Sequence, residues 1–362
     1  MSFLAINKLK IDFIPGTYIR DFDGWRGIGI FFVVLAHYIP SVFIGSWVFM
    51  EMFFVMSGFL ITGILMDSKA KPNYYKRFIY RRTVRVFPLY YLSLLILFFL
   101  LPHNWLDLSY YREHQGWFWL YMQNWLYSLE GWPDVKALHH FWSLAIEEQF
   151  YIIWPLFVWL FSSKTLMRFC IVLFFGSIVF RNTGFQMGFV MPFPYVATLG
   201  RMEPIVLGAM IAIFIRTDKT ILEKLTYPIT IVSGLMVAGL FIIAGNMKFE
   251  LPLHYQITYT IVAIFFAGMI TMTICSDRLL VFKRLINLPF FRVMGVMSYC
   301  IYIFHYPILS IMDYNCLDYF RSISANEGMA KILCRLSALV VTVPVVWMIH
   351  KKIEVPLWKL KR

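Results

Sequence analysis

The chain has 362 residues, of which 60% are hydrophobic, 19% are aromatic and only 15% are charged. Soluble domains carry about 25% charged residues, so this composition excludes an ordinary water-soluble protein. The apolar runs are long and continuous, as in LYYLSLLILFFLL, whereas the strands of a transmembrane barrel alternate apolar and polar residues. The sequence therefore predicts an all-α polytopic membrane helical bundle, organised as a single domain over 1–362 with no appended soluble domain.

Apolar stretches long enough to span a membrane recur along the whole chain. They predict about ten transmembrane helices, near 27–45, 47–66, 84–102, 141–161, 166–185, 194–215, 228–246, 255–275, 293–312 and 331–349. The segment 117–127 is too short to span, and it is rich in Trp and Tyr, which favour the membrane interface. We expect this segment to lie along the membrane surface.

Lysine and arginine predict the orientation, because these residues concentrate in the cytoplasmic loops of membrane proteins. With ten spans, most of them fall on the side that contains both ends of the chain. Both termini are therefore expected in the cytoplasm. The formal net charge of +13 reflects this topology and does not indicate nucleic-acid binding.

Two ionisable residues bracket the first apolar stretch. Arg26 and His37 are eleven positions apart, which in a helix returns to nearly the same face after a rise of about 16.5 Å. A guanidinium near the inner surface and an imidazole deeper in the bilayer would thus share one face of one helix. This placement favours a polar cavity with a function.

Further ionisable residues lie at a similar depth in other spans. Counting from the outer end of each predicted span puts them in one layer, about 10 Å below the outer surface. The members are His37, Glu51, Glu147, Glu148, Arg201 and His305. A charge at that depth costs about 2.5–3.5 kcal/mol, so the layer indicates a catalytic or transport site. The alternative is a set of buried ion pairs that holds the bundle together.

Polar residues at helical spacing extend this layer along two predicted spans. Ser143, Glu147 and Tyr151 fall on one stripe, and Ser298, Tyr302 and His305 fall on another. Two adjacent histidines, His139 and His140, lie just outside the fourth span, where they either bind substrate or line the interface. No acidic residue lies at ligand spacing from them, so we expect no metal site.

A cluster of arginines opens the third span on the inner side. Arg81, Arg82 and Arg85 fall within KRFIYRRTVRVFP, and Arg81 and Arg85 are expected on one face. Guanidinium groups bind phosphate through paired hydrogen bonds, so the cluster suits a multiply phosphorylated ligand. It also suits a basic inner loop that sets topology and touches anionic lipid.

Seven stretches in chain order resemble the motifs of the acyltransferase-3 family, integral membrane O-acyltransferases of bacterial surface glycans. The resemblance runs nearly end to end, and its most specific part is 141–155. Glu51 and Glu203 stand where the family usually has Asp. The stretches are DGWRGIGIFFVVLAH (23–37), EMFFVMSGFLIT (51–62), RRTVRVFPLYY (81–91), FWSLAIEEQFYIIWP (141–155), RMEPIVLGA (201–209), GVMSYCIYIFHYPI (295–308) and IEVPLWK (353–359).

The resemblance implies transfer of an acyl group, usually acetyl, from cytoplasmic acyl-CoA to a hydroxyl on the outer side. The donor substrate would be acetyl-CoA or another acyl-CoA, and the acceptor a glycan or lipid-linked saccharide. The protein would be a multi-pass protein of the bacterial cytoplasmic (inner) membrane, surrounded by lipid. Many relatives carry an extracellular esterase-like domain, and such an activity here would need a separate periplasmic partner.

The residues suggest roles in such a reaction. An imidazole with a pKa near 6.5 suits general base work, so His37 is the predicted base, with Glu147 as its orienting partner. His37 either deprotonates the sugar or first carries the acyl group. Glu148 and His305 complete the predicted catalytic set, and the predicted CoA ligands are Arg26, Arg81, Arg82 and Arg85. The predicted substrate or oxyanion contacts are Glu51, Ser143, Arg201, Tyr299 and Tyr302.

Two other functions compete with this interpretation. A proton-coupled transporter or flippase also uses buried Glu, His and Arg. However, the sequence lacks the internal repeats of many transporters, and the arginine cluster suits a phosphorylated donor. A non-catalytic glycan-binding or assembly subunit would tolerate changes at His37, which an enzyme would not.

Overall fold

The computed structural model describes residues 18–189, 191–275, 280–324 and 326–359. Within them the chain forms α-helices joined by short 3₁₀ and π-helical turns, and no strand. The first nine helices are α1 Asp21–Tyr38, α2 Pro40–Phe43, α3 Val48–Ser68, α4 Tyr74–Leu95, α5 Ser109–Glu113, α6 Gln115–Trp119, α7 Gln123–Glu130, α8 Trp142–Leu160 and α9 Ser163–Gln186. The others are α10 Phe193–Val196, α11 Met202–Thr217, α12 Thr220–Ala244, α13 Tyr259–Cys275, α14 Leu280–Ile286, α15 Pro289–Val296, α16 Ser298–Ile323, α17 Glu327–Ile349 and α18 Val355–Trp358.

Seven helical segments of the described chain are long and apolar enough to cross a membrane. An eighth is added if α15 and α16, which meet at 78°, form one broken span. The predicted first and fourth spans are α1 and α8, with 18 and 19 residues, but acidic and basic side chains lower their hydropathy. The all-α polytopic bundle is thus confirmed, while the count of ten and the side on which the termini lie stay predictions.

The ends of α1 and α4 differ from those predicted, and the differences matter for the site. α1 begins at Asp21 and ends at Tyr38, earlier than the predicted 27–45. Pro40 follows, and a proline disfavours helical backbone at the residue before it, so Ile39 leaves the helical conformation at φ −131°. His37 therefore lies in the last turn of α1.

α4 begins at Tyr74, well before the predicted start at residue 84. Its first half is basic, so a search for apolar stretches misses it, although the segment is helical. Asn73 before it has a left-handed backbone with φ 55°. The arginines of the basic cluster therefore lie on a helix that leads directly into the bundle.

The segment between α4 and α8 folds as three short helices, α5 to α7, none of which is a candidate span. It is tied to α4 by two hydrogen bonds, in which Tyr90 and Tyr91 donate to the carbonyl oxygens of Phe118 and Trp119. Gln123 in turn donates to the carbonyl of Phe141 at the start of α8. The prediction that 117–127 does not cross the membrane agrees with this structure.

Helices α3 and α11 approach each other closely through two glycines. A Cβ atom on Gly58 would lie 1.8 Å from the carbonyl oxygen of Ile205, and one on Gly208 would lie 2.0 Å from that of Val55. Both distances are below any tolerable contact. Small residues of this kind let helix backbones pack closely inside a membrane.

We expect Gly58→Ala to destabilise the protein by about 1–3 kcal/mol, because the methyl group forces α3 and α11 apart. The matched control is Gly239→Ala on α12, where an added Cβ meets no atom within 4 Å. Thermal unfolding in detergent measures both. An unchanged midpoint for Gly58→Ala would contradict the close approach of these helices.

Candidate active site

Five helices, α1, α3, α4, α8 and α16, enclose an inner cavity with a volume of about 140 Å³. Its charged lining consists of Arg26, Arg82, Arg85, Glu147 and Glu148. Of the four predicted donor ligands, the structure therefore brings three into one cavity. The cavity also contains the two adjacent carboxyl groups of α8.

Neighbouring groups hold these side chains in place. The Arg82 guanidinium lies over the Tyr151 ring, 5.3 Å from its centre, and the Tyr151 hydroxyl is 2.7 Å from the Ser57 hydroxyl. Glu147 interacts electrostatically with Arg82, Arg26 and Arg85. Fixed guanidinium groups in an apolar surrounding attract anions strongly, because little water screens them.

Arg81 does not belong to this group. It is exposed and lines a separate cavity with Lys71 and Arg77, although Arg82 borders both spaces. Arg82 and Arg85, which are three positions apart on α4, line the inner cavity. Arg81 therefore does not line the cavity that contains Arg85, and its predicted role as a donor ligand stays a prediction.

At the end of α1 opposite to Arg26, His37 and His305 form a hydrogen-bonded pair between α1 and α16. The distance from His37 Nδ1 to His305 Nε2 is 2.8 Å. His305 Nδ1 lies 2.9 Å from the carbonyl oxygens of Ile301 and Tyr302. Carbonyl oxygens only accept, so neutral His305 carries its hydrogen on Nδ1 and accepts at Nε2.

This network assigns the hydrogen of neutral His37 to Nδ1, from which it is donated to His305. The Nε2 atom of His37 then keeps its lone pair and acts as an acceptor. The Tyr306 ring stacks on His37 with centres 4.1 Å apart, which fixes the plane of the imidazole. A histidine in this state takes a proton at Nε2 while its partner stabilises the resulting cation.

The structure gives His305, not Glu147, the place of orienting partner to His37. Ser143 of α8 and Tyr302 of α16 meet with their hydroxyl oxygens 2.7 Å apart. Glu147 lies one turn to the inner side of Ser143, and His305 lies about one turn to the outer side of Tyr302. The single predicted layer is therefore two groups at different depths, with the carboxyl groups below and the histidines above.

An outer cavity of about 540 Å³ begins at His37 and opens toward the segment before α8. Its lining includes His139 and His140, while Met50 and Tyr302 line both this cavity and the inner one. The two cavities thus border each other at these two side chains.

The predicted oxyanion donors have other partners. Tyr302 donates to the carbonyl oxygen of His140 at 2.7 Å, and Tyr299 donates to that of Val86 at 2.7 Å. A phenol has one hydrogen to donate, so in this conformation neither offers one to a substrate. Tyr302 instead closes the narrow point between the two cavities.

Glu51 and Arg201, predicted as substrate contacts, form a fully buried ion pair and line neither cavity. Beside them Arg181 Nη2 lies 2.9 Å from Glu203 Oε1, also with no exposed surface. Rings of Phe54, Trp142, Tyr195 and Tyr259 surround the Arg201 guanidinium at 4.7 to 5.8 Å. The geometry of this group therefore fits the second interpretation of the sequence, in which buried ion pairs hold the bundle together.

Sequence reasoning missed two residues of this arrangement. Arg181 is not among the predicted site residues, although its position within the predicted span 166–185 is a signal that it needs a buried partner. Tyr306 follows His305 directly, and nothing in its sequence position distinguishes it. Only the packing of α1 against α16 shows that its ring stacks on His37.

Long apolar helices around two adjoining cavities, with arginines in one and His37 of the histidine pair in the other, define a multi-pass membrane protein with an internal site. Within that class, a family model described as an acyltransferase domain matches residues 19–351. The chain belongs to this acyltransferase family.

Relatives with assigned names support the same placement. The chain is 27% identical to the peptidoglycan O-acetyltransferase OatA of Listeria monocytogenes over 81% of its own length and 50% of that protein. It is 26% identical to the O-acetyltransferase OatA of Staphylococcus aureus, over 82% and 51% of the two chains. It is also 26% identical to the putative peptidoglycan O-acetyltransferase YrhL of Bacillus subtilis, over 81% and 49%. The chain thus spans about half the length of these relatives, and no solved structure matches it.

We expect Arg201→Met to lower the free energy of unfolding by about 3–5 kcal/mol, because Glu51 is left as an unpaired buried charge. Replacing Glu51 by Met in the same protein should recover most of this loss, since no uncompensated charge remains. Thermal unfolding in detergent measures both variants. If the double variant is no more stable than the single one, the ion pair does not account for the effect.

Proposed function

We propose that this protein is a membrane O-acyltransferase that moves an acetyl group from cytoplasmic acetyl-CoA to a hydroxyl of a glycan on the outer side of the bacterial cytoplasmic membrane. The observation that carries this proposal is the junction of the two cavities. An arginine-lined cavity and a histidine-lined cavity meet at Met50 and Tyr302. The proposed route of the acyl end runs through this border, and it requires the Tyr302 side chain to move aside.

The charge of the inner cavity suits one part of the donor, since its volume of about 140 Å³ is below the range of about 300–1,000 Å³ for pockets that hold a whole small ligand. CoA carries several phosphate groups, and guanidinium groups bind phosphate more strongly than any other side chain through paired hydrogen bonds. Arg26, Arg82 and Arg85 are the proposed ligands, and Glu147 interacts electrostatically with all three. The thin thioester arm then extends past Tyr302 toward His37, which lies about 16.5 Å along α1 from Arg26.

The histidine pair suits acyl transfer to an alcohol. His37 Nε2 takes the hydroxyl proton as the sugar oxygen attacks the thioester carbon and forms the new C–O bond. The C–S bond then breaks, and the proton on His37 passes to the leaving CoA sulfur. Throughout, His37 Nδ1 donates to His305 Nε2, which holds the ring and stabilises the cation.

The same lone pair also suits a route in which His37 first carries the acetyl group. Incubation with radiolabelled acetyl-CoA without acceptor separates the two routes. Label on the protein that depends on His37 indicates the acyl-histidine, and its absence indicates direct transfer.

The acceptor is proposed from the relatives. Two of the three described above carry peptidoglycan in their names, which makes peptidoglycan glycan strands the first acceptor to test. The rival function of a proton-coupled flippase makes a different prediction, because a flippase moves an intact substrate and consumes no acyl-CoA. Transfer of label from acetyl-CoA to glycan separates the two functions.

We expect His37→Gln to lower acetyl transfer at least about a hundredfold, because the hydroxyl loses its base. The control is His103→Gln, which changes an exposed histidine outside both cavities. Mass spectrometry of the surface glycan from cells with each variant measures the product. Full acetylation of the glycan in cells with His37→Gln would contradict the proposed enzyme function.

We expect Arg85→Ala to weaken acetyl-CoA binding about tenfold or more, as loss of a charged hydrogen bond requires. Lys76→Ala is the control, because Lys76 lies on the same helix but is exposed and outside the inner cavity. Calorimetry in detergent measures the dissociation constants. Equal weakening of acetyl-CoA binding by both changes would indicate that the arginines set the membrane topology and do not bind the donor.

A further inference from the structure

His37 does not lie at the end of the outer cavity but between two cavities. A side cavity of about 310 Å³ adjoins it, lined on its far side by Leu106, Ser310 of α16 and Arg335 of α17. The outer and side cavities share His37, Tyr306, Asp134 and Lys136 among their lining residues. We call these two cavities together the groove. The proposed catalytic histidine borders both halves of it.

Each half of this groove combines aromatic surface with charged groups. The outer cavity has Trp132, whose ring stacks on His139 with centres 4.7 Å apart, and it also has Glu250. The side cavity has Tyr314, which is 55% exposed, beside the Arg335–Asp313 ion pair at 3.5 Å.

This combination fits sugars. A sugar ring has an apolar face and a rim of hydroxyl groups, so it binds to a flat aromatic ring flanked by side chains that both donate and accept hydrogen bonds. Trp132 and Tyr314 are each proposed to supply such a ring.

The sizes of the two cavities indicate how much sugar they hold. Pockets for small ligands measure about 300–1,000 Å³, and the side and outer cavities each fall in that range at about 310 and 540 Å³. A site for one sugar would need only one such space next to the base. Here a second space of sufficient size lies beyond His37.

We propose that the acceptor is an oligosaccharide stretch that fills both cavities, so that the acylated sugar is an internal residue with a neighbour on each side of His37. This inference rests on the proposed function, because it assigns the groove to the acceptor of the same reaction. It adds the length of chain that the protein recognises and the two aromatic residues that recognise it.

The test uses the full chain in lipid nanodiscs with radiolabelled acetyl-CoA. The acceptors are fragments of one, two and three sugars from the de-O-acetylated surface glycan of a strain that lacks this protein. We expect kcat/KM to rise about tenfold or more from one sugar to three, because each stacked ring adds binding. Equal kcat/KM for one and three sugars would overturn the proposal.

Variants locate the two halves of the groove. Trp132→Ala and Tyr314→Ala are each expected to lower kcat/KM for three sugars about tenfold while transfer to one sugar stays within about twofold. Trp132→Phe should restore most of the loss, and Tyr319→Ala, an exposed position of α16 outside both cavities, should change nothing. Equal losses on one and three sugars would contradict the assignment of these residues to neighbouring sugars.

A separate result identifies failure of the proposed function itself. If wild-type protein that binds acetyl-CoA transfers no label to any fragment, or if His37→Gln transfers as well as wild type, the reaction is not the one proposed. Acetyl-CoA affinity is measured for every variant, and an unchanged value shows that the variant is folded.

Discussion

The hydrogen bonds between α8 and α16 fix the relative position of these two helices, and the placement of the ionisable groups in the two cavities depends on it. Tyr302 donates to the carbonyl of His140 and accepts from Ser143, so three polar groups at the boundary of the two helices satisfy one another. Inside an apolar bundle an unpaired polar group costs several kcal/mol, so this contact fixes the register of the helices. That register puts the carboxyl groups of α8 on the arginine side and His305 on the His37 side.

The ionisable side chains described above divide into three groups, which differ in what compensates their burial. Glu51, Arg201, Arg181 and Glu203 pair directly, and they brace α3, α11 and the adjacent helices. The three arginines of the inner cavity line open space together with two glutamates, and their guanidinium groups are the ones suited to an external anion. His37 and His305 need no counter-charge, because the N–H group of each neutral ring has an acceptor. Only the second and third groups border a space that a substrate can enter.

Much of this could be predicted from the sequence, because helix class follows from composition and one-helix geometry follows from spacing. Arg26 and His37 do border the inner and outer spaces from one helix, as their separation predicts. Contacts between helices could not be predicted, since they depend on where each helix ends and how it is rotated. Because Pro40 ends α1 at Tyr38, His37 lies in the last turn of the helix. Depths counted from the apolar stretches placed it deeper, at the same level as Glu147. The rotation of α4, which turns Arg81 outward, has no signature in a run of arginines.

The central claim is that the inner and outer cavities form one passage that leads from Arg82 and Arg85 to His37. A cryo-electron microscopy structure with a non-cleavable analogue of acetyl-CoA tests it most directly. The account predicts phosphate density against Arg82 and Arg85, with the acyl end past Tyr302 and beside His37. An analogue whose acyl end stays in the inner cavity at Glu148, below an unbroken Tyr302–His140 contact, or one bound outside the arginines, would contradict it.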